Sequence, residues 1–187
     1  MNITQQHTQT VNGVDAEQVK ALAGKIQNDA EYGKFTFRAN NRWINGTRNR
    51  SSIQGFFAGG KEDHSRKQAL LVDVDQPDFL GGDNTAPNPV EHLLHSLDSC
   101  LTTTLVYHAS VQGVQLDEVE TWSEGDLNAQ GFFGISDTVA KGYQGIRVNM
   151  RVKSDASSDE LTKMAMYSPV FEMLSNAVPV EFSLTTS

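Results

Sequence analysis

The sequence predicts an α+β fold in which antiparallel strands and two long helices occupy separate stretches of one chain. Strand-like alternation of apolar and polar residues falls within residues 34–75, 116–154 and 179–185, and helical periodicity falls within 88–113 and 157–177. An alternating βαβ order would indicate a parallel sheet, whereas runs of strands separated by single helices favour antiparallel sheets packed against helices. No internal repeat or interdomain linker interrupts this order.

Composition limits the class of protein. Of the 187 residues, 38% are hydrophobic and 20% are charged, which is enough for one domain with a substantial core. No apolar run approaches the ~20 residues that a membrane span needs, and the N-terminal MNITQQHTQT lacks the basic and apolar regions of a signal peptide. We therefore expect a soluble cytoplasmic protein that does not enter a membrane.

Charge and cysteine content narrow the class further. A net charge of −8 and a pI of about 5 argue against a nucleic-acid-binding surface, although Arg42, Arg48 and Arg50 form a local basic stretch. The single cysteine, Cys100, excludes an intrachain disulfide framework, and it is one ligand where a thiolate metal site needs several.

Residues 1–33 are predicted to form an N-terminal extension, and residues 34–187 the main domain. In the extension, Asp15 can cap an amphipathic helix whose apolar face contains Val19, Leu22, Ala23 and Ile26. In the main domain, residues 34–75 predict a three-stranded antiparallel meander with a hairpin turn at Asn45-Gly46. The Gly-, Pro- and Asp-rich segment 77–87 predicts a loop long enough to line a pocket.

The second half of the main domain contains two more strands, a helix and a last strand. The strands are predicted around residues 116–130 and 145–154, with a glycine-punctuated loop between them. Ser157 and Glu160 form a capping-box pattern that opens the second long helix, and Pro169 predicts a break near Tyr167. Residues 179–185, PVEFSLT, are predicted to form the last strand.

The stretch from Asn88 to Gly113 is the longest strong helix signal. Asn88 can serve as N-cap, Pro89 fits the first helical position, Glu91 completes a capping box, and Gly113 is a C-terminal stop. Apolar residues cover a wide arc of this helix, including Leu93, Leu94, Leu97, Leu101, Leu105 and Val106. A single sheet would not cover this arc, so we expect a partner helix or a second subunit on the other side.

Cys100 lies near the middle of this helix and allows two interpretations. A lone free cysteine is most often a small buried hydrophobe. The surrounding hydroxyl residues, Ser96, Ser99, Thr102, Thr103 and Thr104, favour a reactive thiol instead. A mid-helix thiolate gains little from the helix dipole, so an arginine from elsewhere would have to stabilise it.

The nearby histidines do not predict a metal site. Ligands on one helix lie three or four residues apart, and only His92 and His95 meet this spacing; Cys100 is five residues from His95 and eight from His108. The sequence contains neither a Gly-rich phosphate-binding loop nor a Gly-x-Ser-x-Gly motif. We therefore expect no metal and no bound cofactor.

Three segments carry a family resemblance: VDVDQPDFLGGDNTAP, NPVEHLLHSLDSCLTTTLVYHASVQGV and YSPVFEMLSNAVPVEFSL. Over residues 35–185 the chain resembles the osmotically inducible protein C (OsmC) family, which includes the organic hydroperoxide resistance proteins. The resemblance implies an intertwined homodimer, in which antiparallel sheets enclose two long helices per subunit and active sites form at the interface. It also implies thiol peroxidase chemistry, with Cys100 as the cysteine that attacks a small organic hydroperoxide in stress defence.

The resemblance also implies roles for three further residues. Family members assist the cysteine with an arginine from the first strands, which corresponds here to Arg48 or Arg50, and with a glutamate that holds this arginine. The nearest glutamate is Glu91, one residue later than the family position, which turns it by about 100° around the helix.

Peroxidatic members place a resolving cysteine before the proline of the second helix, where this chain has Ser168. A one-cysteine cycle would then need an external thiol reductant. The alternative is a non-catalytic dimer that binds a small apolar ligand in its interface pocket.

Overall fold

The protein is described here by a computed structural model that covers residues 10–176 and 178–186. The chain divides into two compact units: residues 17–93 form the first, and residues 94–187 together with the N-terminal residues up to Ala16 form the second. Helices and antiparallel strands occur in separate stretches, so the predicted α+β fold class is confirmed.

The first unit contains six short strands rather than the three that the sequence predicts. They are β1 (Thr36–Phe37), β2 (Asn40–Asn45), β3 (Arg48–Ile53), β4 (Phe56–Ala58), β5 (Lys61–Asp63) and β6 (Leu70–Val74). Two antiparallel sheets result, with strand orders β1-β4-β5 and β2-β3-β6. The predicted second strand is divided at Gln54-Gly55, so that β3 and β4 belong to different sheets.

Turn chemistry sets the register of these strands. Gly46 has a φ of 55° and lies in the turn between β2 and β3, which confirms the predicted Asn45-Gly46 hairpin. Gly59 and Gly60, with φ values of 58° and 78°, make the corresponding turn between β4 and β5. In the resulting register Arg50 pairs with Arg42 of β2 and with Asp73 of β6. These three charged residues therefore form one cross-strand row.

The long helix α2 spans Pro89–Gln112 and ends at Gly113, whose φ is 76°. Both ends agree with the sequence prediction. After it come β7 (Glu118–Leu127), the short α3 (Ala129–Phe132), β8 (Tyr143–Lys153), α4 (Ser158–Ala165) and α5 (Pro169–Ser175). Strands β7 and β8 form an antiparallel ladder, with Val119 opposite Val152 and Ser123 opposite Val148.

The core of the second unit lies between α2, α4 and the β7–β8 ladder. Its buried residues are Leu97, Leu101, Leu105, Ala109, Leu161, Met164 and Ala165. Those from α2 recur every four residues and form one stripe, which packs against α4 and the inner side chains of β8, such as Val148 and Met150. The other apolar positions on α2 remain partly exposed, Tyr107 by 49%.

The second long helix is interrupted where the sequence predicts a break. Helix α4 ends at Ala165 and α5 begins at Pro169, because proline cannot donate the backbone hydrogen bond that would continue the first helix. The predicted capping box at the start of α4 is present, with the Ser157 amide donating to Glu160 Oε2 at 3.1 Å and the Glu160 amide donating to Ser157 Oγ at 3.3 Å.

The predicted last strand is wrong. Residues 178–186 are described, and none of them is in a strand. A strand needs a neighbouring edge that completes its hydrogen bonds, and residues 179–185 pair with none of the described strands. The alternating apolar side chains of this segment are consequently exposed, Val180 by 84% and Phe182 by 85%.

The N-terminal helix is present as α1, Ala16–Asn28, but its apolar stripe is not part of a core. Ala16 is the one buried residue among its described positions, and Leu22 is 42% exposed. The prediction that residues 1–33 form a separate extension is untested, and its first nine residues lie outside the described part of the chain. No helix in the described residues combines the length and apolar content that crossing a membrane requires.

Candidate functional site

The start of α2 is fixed by the predicted capping box. The Asn88 amide donates to Glu91 Oε2 at 2.8 Å, and the Glu91 amide donates to Asn88 Oδ1 at 2.9 Å. These reciprocal bonds satisfy two backbone donors that helix geometry leaves without partners. One carboxylate oxygen of Glu91 is therefore engaged by the backbone of its own helix.

Cys100 is a free, partly exposed thiol on α2, in the second unit. It lies next to the buried Leu101 and therefore at the border of the core stripe. In the described part of its own unit, no hydrogen bond reaches its sulfur. The thiol is thus neither sealed in the core nor fixed by a local polar partner.

The hydroxyl side chains near Cys100, which the sequence suggested as favouring a reactive thiol, form hydrogen bonds with groups other than the thiol. Thr102 Oγ1 lies 2.7 Å from Thr121 Oγ1 on β7, and Ser99 Oγ donates to the Ser96 carbonyl at 3.2 Å. On the same side of α2, Ser123 Oγ donates to Asp98 Oδ2 at 2.9 Å, and Asp98 Oδ1 is a buried oxygen without a partner among the described residues. Thr102 and Asp98 thus attach the helix to β7 and Ser99 bonds to its own helix, so these side chains do not by themselves indicate an activated thiol.

Arg50 is held by a bidentate ion pair on the β2-β3-β6 sheet of the first unit. Its Nε donates to Asp73 Oδ1 at 2.5 Å and its Nη2 donates to Asp73 Oδ2 at 2.9 Å. The hydrogen bond and the positive charge of Arg50 lower the pKa of Asp73, and the same bond raises the pKa of Arg50. Sequence reasoning identified Arg50 but not Asp73, because the cross-strand register that joins them depends on the β3–β6 pairing.

Arg48 lies on the same strand, two residues from Arg50, and is exposed. It forms no ion pair within the described residues of its unit, but its charge contributes to lowering the pKa of Asp73. The two candidate arginines therefore differ: the guanidinium of Arg50 has a fixed orientation, and that of Arg48 does not.

Asp75 is a buried carboxylate that the sequence analysis did not single out. It accepts hydrogen bonds from Thr47 Oγ1 at 2.7 Å, Thr85 Oγ1 at 2.8 Å, the Thr85 amide at 3.0 Å and the Gln76 amide at 2.8 Å. These donors lower its pKa far below the ordinary value, with the Thr47 hydroxyl contributing most. Asp75 thereby joins the loop before α2 to the β2–β3 turn. In the sequence, the one feature that could have drawn attention to Asp75 is its place in VDVDQP, where an aspartate ends a strand-like stretch.

A largely apolar cavity of about 540 Å³ lies within the second unit. Leu101, Met150, Leu161 and Phe171 line it, and Arg151, Ser158 and Thr162 are its polar members. Cys100 is not among the lining residues that the structure describes. The cavity could therefore hold a small apolar molecule without contact with the thiol.

Ser168 occupies the position before Pro169 and is fully buried. Its Oγ accepts a hydrogen bond from the Phe171 amide at 3.3 Å, so the residue is the N-cap of α5. Its hydroxyl has a structural function that does not depend on redox chemistry.

Across residues 10–176 and 178–186, no group of three His, Cys, Asp or Glu side chains could hold a metal ion.

A long helix that carries the single cysteine, in a chain whose strands form antiparallel sheets, is typical of an OsmC-type fold. The sequence profile described as OsmC-like protein matches residues 82–183. Because this match covers more than half of the chain, the protein belongs to the OsmC-like family, as the resemblance predicted. A search of curated proteins found no significant match.

Solved structures agree on the fold. An OsmC-like protein from Mycoplasma pneumoniae is 11% identical, with a TM-score of 0.54, and the alignment covers 76% of this chain and 89% of that one. An organic hydroperoxide resistance protein OsmC from Legionella pneumophila is 19% identical, with a TM-score of 0.50 and coverage of 74% and 88%. An OsmC-like protein of unknown function from Vibrio cholerae is 14% identical, with a TM-score of 0.51 and coverage of 78% and 94%.

Proposed function

We propose that the protein is a thiol peroxidase that reduces small organic hydroperoxides through Cys100, in defence against oxidative or osmotic stress. The observation that carries this proposal is the position of Cys100. It is the only cysteine of an OsmC-like chain, and it lies partly exposed on the long helix within the segment that matches the family. The relative from Legionella pneumophila, an organic hydroperoxide resistance protein, supports the choice of substrate class.

The first half-reaction consumes the peroxide. The Cys100 thiolate attacks the terminal oxygen of the hydroperoxide, a sulfur–oxygen bond forms, and the oxygen–oxygen bond breaks. The leaving alkoxide takes up one proton and departs as an alcohol, and Cys100 remains as a sulfenic acid. The peroxide is thus reduced by two electrons and the sulfur is oxidised by two.

The second half-reaction requires a thiol from outside the chain. Ser168 cannot form a disulfide with Cys100, and the sequence contains no other cysteine. An external thiol condenses with the sulfenic acid and releases water, and a second thiol then attacks the mixed disulfide and restores Cys100. Two thiols leave as one disulfide in each turnover.

The proposal also includes a homodimer and an arginine that stabilises the thiolate. A cationic group is needed because Cys100 lies too far from the N-terminus of α2 to benefit from the helix dipole. Arg48 and Arg50 are the candidates, and either subunit could supply the arginine. Glu91 has a weaker case, because one of its carboxylate oxygens already caps α2.

The test is mass spectrometry of Cys100 after brief exposure to cumene hydroperoxide or to hydrogen peroxide, with dimedone to trap the sulfenic acid. We expect rapid labelling of Cys100, faster with the organic peroxide, and slower labelling when the assisting arginine is replaced in Arg48→Ala or Arg50→Ala. Arg38→Ala is the matched control, because Arg38 forms a bidentate pair with Glu62 in the other sheet of the same unit. Labelling of native Cys100 no faster than that of an unfolded chain would contradict the proposal.

The cavity of the second unit favours a second candidate function, the binding of a small apolar ligand without catalysis. If the protein is such a binding protein, Ala156→Leu, which fills the cavity, should abolish binding of a short-chain fatty acid, while Cys100→Ser should leave binding unchanged.

The pH dependence of Cys100 alkylation separates the two functions. A midpoint well below the ~8.5 of a free thiol supports the peroxidase, and a thiol that reacts only after unfolding supports the binding protein.

A further inference from the structure

A second cavity, the basic pocket, has a volume of about 520 Å³ and lies within the first unit. Residues of both small sheets line it: Asn40 and Ser52 belong to the β2-β3-β6 sheet, and Glu62 belongs to the β1-β4-β5 sheet. The remaining lining residues lie in the connections between strands. The volume is within the range of roughly 300–1,000 Å³ that is typical of small-molecule sites.

The lining of the basic pocket is cationic, although the whole chain has a net charge of −8. Arg38, Arg66 and Lys67 contribute three positive charges, and Glu62 is the one carboxylate among the lining residues that the structure describes. His64 adds an imidazole ring, which gains a proton readily near neutral pH. Positive charge is therefore concentrated at one place in an acidic protein.

Both arginines of the basic pocket are held in fixed orientations. Arg66 Nη1 donates to the Gln54 carbonyl at 3.3 Å, Gln54 Nε2 donates to the Arg66 carbonyl at 3.1 Å, and the Arg66 guanidinium lies 5.2 Å from the centroid of the Phe56 ring. Arg38 donates to both carboxylate oxygens of Glu62 at 2.9 Å. Each guanidinium has further N–H donors beyond these bonds. Because the orientations are set in advance, less conformational entropy is lost when a ligand binds.

Lys67 differs from the two arginines because no structural contact holds its ammonium group. Among the described residues of its unit it forms neither a hydrogen bond nor an ion pair, and it is exposed. Arg66 likewise has no carboxylate partner there, whereas Arg38 is paired with Glu62. An anion that enters the basic pocket would therefore be attracted by two cations without displacing a carboxylate from either.

We propose that the basic pocket binds the phosphate monoester group of a small soluble molecule. A phosphate monoester is mainly a dianion at neutral pH, so it matches the charge that Glu62 leaves uncompensated, and its oxygens suit the planar donors of a guanidinium. A single carboxylate would match only half of this charge. Asn40 and Ser52 can donate to other polar groups of the ligand. The site does not include Cys100, so it does not depend on the proposed peroxidase function.

The test is a titration of the native protein with glycerol 3-phosphate, followed by amide NMR shifts and compared with sodium chloride at the same ionic strength. We expect saturable shifts that cluster at residues 52–55 and 62–69, with a Kd in the millimolar range or below. Glycerol should cause no shifts, and sodium acetate should bind at least about fivefold more weakly because it carries one charge. Shifts that sodium chloride reproduces, or that spread over every basic residue, overturn the proposal.

Lys67→Gln is the principal variant, because it removes a cation from the lining without removing a structural contact. We expect it to weaken glycerol 3-phosphate binding by about fivefold. Lys61→Gln is the matched control: Lys61 is an exposed residue of β5 outside the described lining, and the same change in charge should alter the affinity by less than about twofold. Equal weakening by both variants would show that general charge attraction, and not the basic pocket, holds the ligand.

A pair of substitutions at Ser52 separates charge from size. Ser52→Glu places a second carboxylate in the lining and should abolish binding, whereas Ser52→Gln has a similar size without the charge and should retain at least part of it. Equal binding by the two variants contradicts the proposal, and thermal unfolding scans verify that each variant is folded. Co-sedimentation with phosphatidylcholine vesicles that contain phosphatidic acid tests a lipid headgroup as the source of the phosphate. Binding to these vesicles without any response to glycerol 3-phosphate would refute the assignment to a soluble molecule.

Discussion

At the scale of single residues, the most constrained polar group in the first unit is Asp75. Its buried carboxylate accepts four hydrogen bonds from Thr47, Gln76 and Thr85, which belong to the β2–β3 turn and the loop before α2. Loops rarely stay in one conformation without such contacts, because their backbone groups have few regular partners. Asp75 therefore determines how the chain enters the long helix.

This arrangement predicts an acid-sensitive fold. The pKa of Asp75 is lowered in the folded protein, so its stabilising contribution is fully present above the unfolded value of about 3.9 and is lost as the pH falls through the lower folded value. Asp75→Asn should lower the unfolding temperature at pH 7 and make its dependence on pH shallower below about pH 5. Thermal scans from pH 7 to pH 2 measure both effects, and an unchanged slope would show that other carboxylates dominate acid unfolding.

Ser168 occupies the position at which peroxidatic relatives have a resolving cysteine, but its contacts show that it caps α5. We expect Ser168→Ala to destabilise the protein by about 1 kcal/mol, because the Phe171 amide loses its side-chain acceptor. Ser168→Thr retains a hydroxyl and should cost less. Denaturant unfolding measures the difference, and peroxide labelling of Cys100 should be the same in Ser168→Ala as in the native protein if the one-cysteine cycle is correct.

At the scale of elements, α2 is stabilised by a narrow buried stripe. Leu105 is completely buried at the centre of this stripe, and Leu105→Ala should cost roughly 2–5 kcal/mol through lost burial and the cavity that remains. Thr103→Ala, at an exposed position on the same helix, should change stability by less than about 0.5 kcal/mol. Chemical denaturation compares the two variants, and similar small effects would mean that the helix is held by other contacts.

Residues 178–186 contain the last strand that the sequence predicts, and this strand is not formed in the described chain. Their alternating apolar residues are typical of a strand with one buried face, yet these side chains are exposed. A β-strand forms only beside a partner strand. The pattern therefore predicts a strand, and no described strand of the same chain pairs with it. The segment is therefore a candidate contact region for a second subunit.

At the scale of the whole molecule, the distribution of apolar surface supports the proposed dimer. The described residues include exposed large side chains in both units, such as Phe37 at 71%, Phe132 at 61% and Phe182 at 85%. Extended apolar patches on a soluble protein commonly mark interaction surfaces. A second copy of this chain is the partner that the wide apolar arc of α2 predicts.

Light scattering at micromolar concentration should therefore give twice the mass of the 20.5 kDa chain. The double variant Phe182→Ser, Leu184→Ser should shift the equilibrium toward monomer, because it removes two apolar side chains from the candidate contact segment. Leu70→Ser, at an exposed apolar position in the other unit, is the comparison variant that tests whether this effect is specific. A native protein that is monomeric and fully folded would contradict the dimer.

The sequence determined the features that depend on neighbouring residues. The caps at Asn88 and Ser157, the stop at Gly113, the break at Pro169 and the hairpin turn at Gly46 all follow from local hydrogen bonding and backbone geometry. The fold class follows from the same local patterns and their order, and the family from the resemblance of three segments, which the family profile over residues 82–183 bears out.

Tertiary structure decided what depends on residues distant in sequence. The division of residues 36–74 into two sheets, the pairing of Arg50 with Asp73 and the burial of Asp75 all require a strand register that no local pattern specifies. The unpaired segment at residues 179–185 has the same origin, since an alternating pattern predicts a strand but not the edge that it joins.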